Sequence, residues 1–230
     1  MCPLNRPLTA LVVAVGGWLV FSPAKACSLA LVVAMDVSAS VDAREHQLQL
    51  QGLSGALMDP SVVEAIETVG GIWFHSFEWS DRYKQVTQAP WSYLTDAASA
   101  EAAARRIAAT PRSQTEFPTA LGYALGHAAV VLNRAPERCD RRVIDVAGDG
   151  INNDGFGPKS AYRAFDFNAV SVNALVVGGH DETTRYFERE VIRGPGAFVE
   201  QALDFEDYRE AMTRKLLREI GGNQFASFTR

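Results

Sequence analysis

Continuous apolar runs alternate with amphipathic segments along most of this chain. The first run, at residues 29–37 (LALVVAMDV), has the length and composition of a strand buried on both faces. Such runs predict six strands, at residues 29–37, 71–79, 83–89, 142–147, 168–177 and 197–203. Between them, helices are predicted after Asp42, after Asp96, from Thr119, at residues 184–192 and at residues 206–220. Strands separated by helices indicate a single α/β domain built on a doubly wound, mostly parallel sheet.

The first 26 residues have the pattern of an export signal. Asn5-Arg6 gives a short positive start, and residues 8–21 form an apolar run of 14 residues, too short for a bilayer span of roughly 20. Ala24-Lys25-Ala26 places small residues where a signal peptidase reads the chain. We therefore expect cleavage before Cys27 and a mature, periplasmic or secreted domain at residues 27–230, without a transmembrane segment. An uncleaved anchor and a lipoprotein are the alternatives, and Lys25 disfavours lipidation.

Charge and cysteine content change once the signal is removed. The 230 residues include 22 Lys or Arg and 27 Asp or Glu, a net charge of −5. Loss of Arg6 and Lys25 leaves 20 basic residues and a net charge of −7, which argues against a nucleic-acid-binding surface. Cys2 also leaves, so Cys27 and Cys139 remain. In an exported protein this pair favours a disulfide, with two free thiols as the alternative.

Oxygen-bearing side chains follow two of the predicted strands. The first strand ends in Asp36-x-Ser38-x-Ser40, and the fourth ends in Gly148-Asp149. Thr115 lies in the loop that leads into the helix before the fourth strand. Ligands of open parallel sheets bind beyond the carboxyl ends of the strands, so these side chains are expected to face one point. Carboxylates and hydroxyls form a hard, all-oxygen donor set suited to Mg²⁺, Mn²⁺ or Ca²⁺. Because Mg²⁺ takes six oxygens, a position would stay open for water or an outside carboxylate.

These residues carry a resemblance to a known family. The Asp-x-Ser-x-Ser turn with a distant Thr and a distant Asp resembles the metal-ion-dependent adhesion site of von Willebrand factor type A domains, over residues 29–220. The chain is also similar to bacterial exported proteins that consist of this domain alone and lack an assigned function, through DVSASVDARE, RRVIDVAGDGINN and VIRGPGAF. The resemblance implies a divalent cation, Mg²⁺ before Mn²⁺ or Ca²⁺. Its ligands would be Asp36, Ser38, Ser40, Thr115 and Asp149.

The sequence departs from the family pattern near the Thr position. The loop reads SQTEFP instead of a glycine-rich stretch, and Thr119 competes with Thr115, with a helix N-cap as its alternative role. Gly148 stands where many relatives have Thr, which leaves the donor set intact.

The resemblance also implies a topology. The strand order would be 3-2-1-4-5-6, with the third strand antiparallel at one edge. The first and fourth strands would then be neighbours, and because Cys27 and Cys139 precede them, a disulfide between the two is implied. The family further shows a shift of the last helix, here about residues 206–220, with metal and ligand occupancy.

The leading functional prediction is a non-enzymatic, exported protein that binds an Asp or Glu carboxylate of a protein partner through the cation. A metal-dependent hydrolase or phosphoesterase using the same oxygens is the alternative, disfavoured because no general base can be named beside the cluster. A purely structural α/β domain is the third class. Asp145, inside the fourth strand, is expected to make a structural hydrogen bond. The histidines show no metal-ligand spacing and are expected to be structural: His46, His75, His127 and His180.

Overall fold

A six-stranded sheet organises the chain, in the order β3-β2-β1-β4-β5-β6. The computed structural model describes residues 27–113, 115–178 and 181–222; the predicted signal peptide and His180 lie outside the described residues. The strands are β1 Leu29–Asp36, β2 Ile72–Trp79, β3 Gln85–Leu94, β4 Arg141–Gly148, β5 Ser171–Val177 and β6 Val199–Ala202. All neighbouring pairs are parallel except β2 and β3. The predicted order and the antiparallel edge strand are therefore confirmed.

Helices cover both faces of this sheet. They are α1 Ala43–Leu57, α2 Pro60–Val69, α3 Ala97–Ala108, α4 Leu121–Asn133, α5 Pro158–Ala164, α6 Asp181–Tyr186, which continues as a π-helical turn Phe187–Val191, and α7 Tyr208–Gly221. Asp42 begins α1 as predicted, in a reciprocal capping box with Glu45. No helix within the described ranges is both long enough and apolar enough to cross a bilayer.

Two elements differ from the prediction because of proline chemistry. Helix α2 was not predicted: α1 ends at Leu57, Asp59 then caps α2, and Pro60 takes its first turn, where a missing N–H costs nothing. Strand β3 continues past its predicted end through Pro90 to Leu94. An edge strand tolerates this proline because one side of its backbone pairs with no neighbour.

Alternation along β1 divides the core into two layers. Leu29, Leu31, Val33 and Met35 pack on one face with residues of α1, α2, α3 and α7. Ala30, Val32 and Ala34 pack on the other face with residues of α4 and the π-helical turn. Every residue of β1 is buried, as expected for the central strand of a doubly covered sheet.

A disulfide joins the amino ends of the two central strands. Cys27 and Cys139, 112 residues apart in sequence, lie directly before β1 and β4, with their Cα atoms 4.4 Å apart. The pairing implied by the family resemblance is the one in the structure. It fixes these strands at the edge of the sheet opposite to the one that carries the candidate site.

Candidate metal centre

Three loops meet at the carboxyl edge of β1 and β4. Asp36 is the last residue of β1, Ser38 and Ser40 lie in the turn that follows, and Asp149 comes directly after β4. The two strands are adjacent and parallel, with Met35 opposite Ala147, so both chain ends reach the same side of the sheet. The third loop runs from α3 to α4 and carries Thr119.

A chain of hydrogen bonds connects these side chains. Asp36 Oδ1 accepts a bond from the Ser38 backbone N–H at 2.8 Å. The Ser38 and Ser40 hydroxyls lie 3.2 Å apart, and Ser40 Oγ donates to Asp149 Oδ1 at 2.8 Å. The Thr119 hydroxyl lies 3.2 Å from Ser38 Oγ. These bonds link five residues with oxygen-bearing side chains, one to the next, at a single point of the fold.

The threonine assignment needs a correction. Thr115, the residue chosen from the sequence, is exposed, whereas Thr119 is buried and contacts Ser38. The Ala39 N–H donates to the Phe117 carbonyl at 2.8 Å, which holds the loop against the serine turn two residues before Thr119. The chain therefore reaches the oxygen cluster at Thr119, and we replace Thr115 by Thr119 in the candidate site.

Thr119 is fixed by the loop after β4 and does not cap a helix. Its backbone N–H donates to Asn153 Oδ1 at 2.8 Å, and its carbonyl accepts from the Asn153 N–H at 3.0 Å. Helix α4 has Ala120 at its N-cap, without a side-chain cap bond. Asn152 Oδ1 instead accepts from the Gly122 N–H in the first turn. The loop that carries Asp149 therefore also positions the Thr119 hydroxyl.

The electrostatics of Asp36 favour a cation. Its carboxylate is fully buried, and Oδ2 has no hydrogen-bond partner in the described part of the chain. Burial, and then the negative charge of Asp149, raise its pKa to about 7, against smaller lowering effects from Ser38 and Arg112. A Cβ at Gly148 would lie only 3.2 Å from Oδ2, so the glycine avoids a tight contact beside this buried oxygen. A hard divalent cation would satisfy both carboxylates, and the residues fit one.

A buried polar network behind the site escaped the sequence prediction. Glu78, near the end of β2, contacts His46 of α1 and the Ser113 backbone N–H. Arg112 donates to the carbonyls of Ser38 and Val41 in the serine turn. The available signal was an acidic residue inside the predicted strand at 71–79. Its partners are separated by more than 30 residues and could not be identified from the pattern.

Asp145 belongs to a second buried cluster, separate from these oxygens. It lies in the middle of β4, and Lys215 Nζ of α7 is 2.7 Å from its Oδ1, an ion pair without the alignment of a hydrogen bond. Lys215 also contacts Glu219 Oε1, at 2.5 Å, which accepts from Asn173 Nδ2 at 2.8 Å. Asp145 thus has a structural role, through an ion pair in place of the expected hydrogen bond.

Comparison with known families identifies the chain as a member of one. A family model described as protein of unknown function, DUF1194, matches residues 26–224, and the chain belongs to this family. A search of curated protein sequences gave no match.

Solved structures show the same fold at low sequence identity. A zinc-occupied structure of proximal thread matrix protein 1 from the mussel byssus has a TM-score of 0.63 and 16% identity, covering 84% of this chain and 48% of that one. The von Willebrand factor type A protein of Catenulispora acidiphila has a TM-score of 0.59 and 15% identity, covering 85% and 43%. BatB of Bacteroides thetaiotaomicron has a TM-score of 0.58 and 18% identity, covering 84% of this chain and 98% of that one. This chain has the von Willebrand factor type A fold. It spans about half the length of the mussel protein.

Proposed function

We propose that this DUF1194 protein is an exported, non-enzymatic binding module that holds a divalent cation and, through it, a protein partner. The single observation that carries the proposal is the convergence of Asp36, Ser38, Ser40, Thr119 and Asp149 at the carboxyl edge of the sheet. The buried Asp36 Oδ2 is an acceptor that the described chain does not satisfy.

The donor set supports Mg²⁺ as the ion, with Mn²⁺ or Ca²⁺ as alternatives. Two carboxylates and three hydroxyls are hard ligands, which bind these ions well and Zn²⁺ or Cu²⁺ less well. In one structure of the mussel protein, which has the same fold, zinc occupies the metal-ion-dependent adhesion-site motif. This supports a divalent cation in general. These five donors leave one position of a six-coordinate Mg²⁺ open, which a further anionic oxygen could take.

The surface around the site supports a protein partner with an acidic side chain. Ser40 and Ala39 are exposed beside the buried Asp36, so the site opens to solvent on this side. Tyr83 and Ile151, 84% and 42% exposed, follow β2 and β4 at the same edge of the sheet. A partner would place an Asp or Glu carboxylate on the ion and apolar side chains beside these two residues. Because the net charge of the protein is negative, direct contact with an acidic partner would be repulsive, and a bridging cation would offset that repulsion.

Two features support export to the periplasm or beyond. Residues 1–26 have the sequence pattern of a cleaved signal, and Cys27–Cys139 is a disulfide, a bond typical of oxidising compartments.

Calorimetric titration of metal into EDTA-treated, then desalted protein tests the cation site. We expect one equivalent of Mg²⁺ or Mn²⁺ to bind the parent, and no binding to Asp36→Ala or Asp149→Ala. Asp154→Asn is the matched control, because that carboxylate lies at the same edge but is held by Arg82 in two hydrogen bonds from Nε and one from Nη2. A parent that binds no divalent ion, or an Asp36→Ala variant that binds like the parent, contradicts the proposal.

The partner is tested by affinity capture from a cell-envelope extract. The parent should retain a protein in Mg²⁺ and release it in EDTA, whereas immobilised Asp36→Ala should retain none of it. A protein that both baits retain equally would not be a partner of this site.

A further inference from the structure

Glu78 is a fully buried carboxylate with both oxygens in use. It lies next to the last residue of β2, the strand adjacent to β1. Its Oε2 is 3.3 Å from His46 Nε2, and its Oε1 accepts from the Ser113 backbone N–H at 2.9 Å. Its side chain is 0% exposed and that of His46 is 5% exposed. A carboxylate in such a place is costly unless every neighbour is fixed to satisfy it.

The two contacts of Glu78 reach two different ligand-bearing segments. His46 lies in the first turns of α1, the helix that begins directly after the Ser38–Ser40 turn. The same helix holds the end of β1, since Gln49 Nε2 donates to the Asp36 carbonyl at 3.1 Å. Through His46, Glu78 therefore fixes the helix that supports Asp36 and both serines.

Its other oxygen fixes the segment that leads to the threonine. Ser113 lies in the loop between α3 and Thr119, and its neighbour Arg112 donates through Nη2 to the carbonyls of Ser38, at 3.3 Å, and Val41. The Ser113 N–H bond to Glu78 holds this loop at the place from which Arg112 spans the serine turn. The Arg112 guanidinium thus contacts the serine turn itself, while Gln49 of α1 contacts the end of β1 directly before that turn.

We propose that Glu78 is a positioning residue of the cation site: it holds the serine turn and the threonine loop in register before any ion binds. The inference rests on the proposed function, and it adds a residue that touches neither the ion nor its ligands. Removal of the carboxylate leaves the His46 ring nitrogen and the Ser113 N–H without their acceptor. Both segments are then free to move apart, and outer partners of this kind commonly change metal affinity 10- to 100-fold.

The test combines metal titration with amide hydrogen exchange on the full mature chain. Variants are Glu78→Ala, Glu78→Gln and, as control, Ser54→Ala, which removes a buried α1 hydroxyl bonded to the Ala104 carbonyl at 3.1 Å. We expect the Mn²⁺ Kd to rise at least tenfold in Glu78→Ala and at most threefold in Glu78→Gln, because an amide oxygen still accepts from Ser113. Without metal, amides of residues 38–41 and 112–119 should exchange at least tenfold faster in Glu78→Ala only.

The two readouts separate this inference from the proposed function. An unchanged Kd and unchanged exchange in Glu78→Ala, or equal loss of affinity in Ser54→Ala, overturns the positioning role while the cation site stands. A parent that binds no metal contradicts the proposed function, and exchange alone then decides the role of Glu78. Should Glu78→Ala not fold, His46→Leu tests one half of the arrangement: a Kd at least threefold weaker supports the role, and a Kd equal to that of the parent overturns it.

Discussion

Two fully buried aspartates on adjacent strands have neighbours of opposite charge. Asp145 of β4 lies 2.7 Å from the ammonium group of Lys215, itself 0% exposed. For Asp36 of β1, the charge with the largest effect on its pKa is that of Asp149, and its Oδ2 has no partner in the described chain. Burial raises the pKa of each carboxyl to about 7, but the next cause lowers it for Asp145, through Lys215, and raises it for Asp36, through Asp149.

The difference indicates where the chain supplies its own cation and where it does not. A carboxylate removed from water requires a nearby positive charge or it becomes protonated. In the cluster of Asp145, Lys215 and Glu219, that charge comes from α7, and the result is a fixed helix-to-sheet contact. Arg112 lowers the pKa of Asp36 only as the smallest of the causes, and it directs its hydrogen bonds to backbone carbonyls. The charge that Asp36 and Asp149 require is the one that a bound metal ion would bring.

Removal of Lys215, the cation that the chain supplies to Asp145, should have the largest effect on stability. Lys215→Met leaves Asp145 and Glu219 buried without their ammonium group, and we expect a loss of about 3–5 kcal/mol in the free energy of unfolding. Urea denaturation at pH 7 measures this loss. Lys159→Met is the control, because Lys159 is 68% exposed in its pair with Glu190, and it should cost less than about 1 kcal/mol. Equal losses in the two variants would show that the buried cluster is not stabilised by its cation.

Parallel neutralisation of the two aspartates tests the contrast directly. Asp145→Asn breaks an ion pair, so we expect a loss of about 3 kcal/mol, with or without metal. Asp36→Asn removes an uncompensated charge, so in EDTA this variant should be at least as stable as the parent. With Mg²⁺ at about 100 times its Kd, the parent should gain about 2.7 kcal/mol and Asp36→Asn nothing. Thermal melting of the parent and both variants in EDTA and in Mg²⁺ gives these values, and an Asp36→Asn variant that is strongly destabilised in EDTA contradicts the contrast.

The sequence predicted the sheet and most of the donor set because both depend on local pattern. Continuous apolar runs identify β1 and β4, and the residues that end them must lie at one edge of a parallel sheet. The order of the strands came only from the family resemblance, since periodicity does not encode which strands are neighbours. Asp36, Ser38, Ser40 and Asp149 were therefore placed correctly at one point of the fold, whereas their binding of metal stays a prediction.

Long-range side-chain contacts were beyond the sequence pattern. Glu78 contacts residues 32 positions before it and 35 after it, and Lys215 meets Asp145 from an element 70 residues away in the chain. Nothing local marks such pairs, since each partner sits in an ordinary strand, helix or loop. The sequence did show that Asp145 was a charge inside a strand, but its compensation by α7 required the three-dimensional packing.

A buried histidine differs from both aspartates because it remains neutral in the folded protein. His75 of β2 is 6% exposed and packs 5.4 Å from the ring of Trp91; burial, and then His127, lower its pKa to about 4. The unfolded chain binds a proton below about pH 6.5 and the folded chain does not, so stability is lost as the pH falls through this window. Between pH 7 and 5 we expect the parent to lose about 1–2 kcal/mol more than His75→Leu, by urea denaturation. Identical pH dependence in both proteins would contradict this.

The smallest effect is expected from the choice between the two threonines of the loop before α4, of which the buried Thr119 contacts the serine turn that follows Asp36. Thr119 and Thr115 lie in the same loop, but only the Thr119 hydroxyl contacts Ser38, at 3.2 Å, while Thr115 is exposed. Thr119→Val keeps the shape of the side chain and removes one neutral oxygen, so the Mg²⁺ Kd should rise about tenfold, equivalent to about 1.4 kcal/mol. Thr115→Val is the matched control and should leave the Kd within twofold of the parent. If titration showed the reverse, the loop would have to approach Asp36 through Thr115, and the present geometry of the cluster would be wrong.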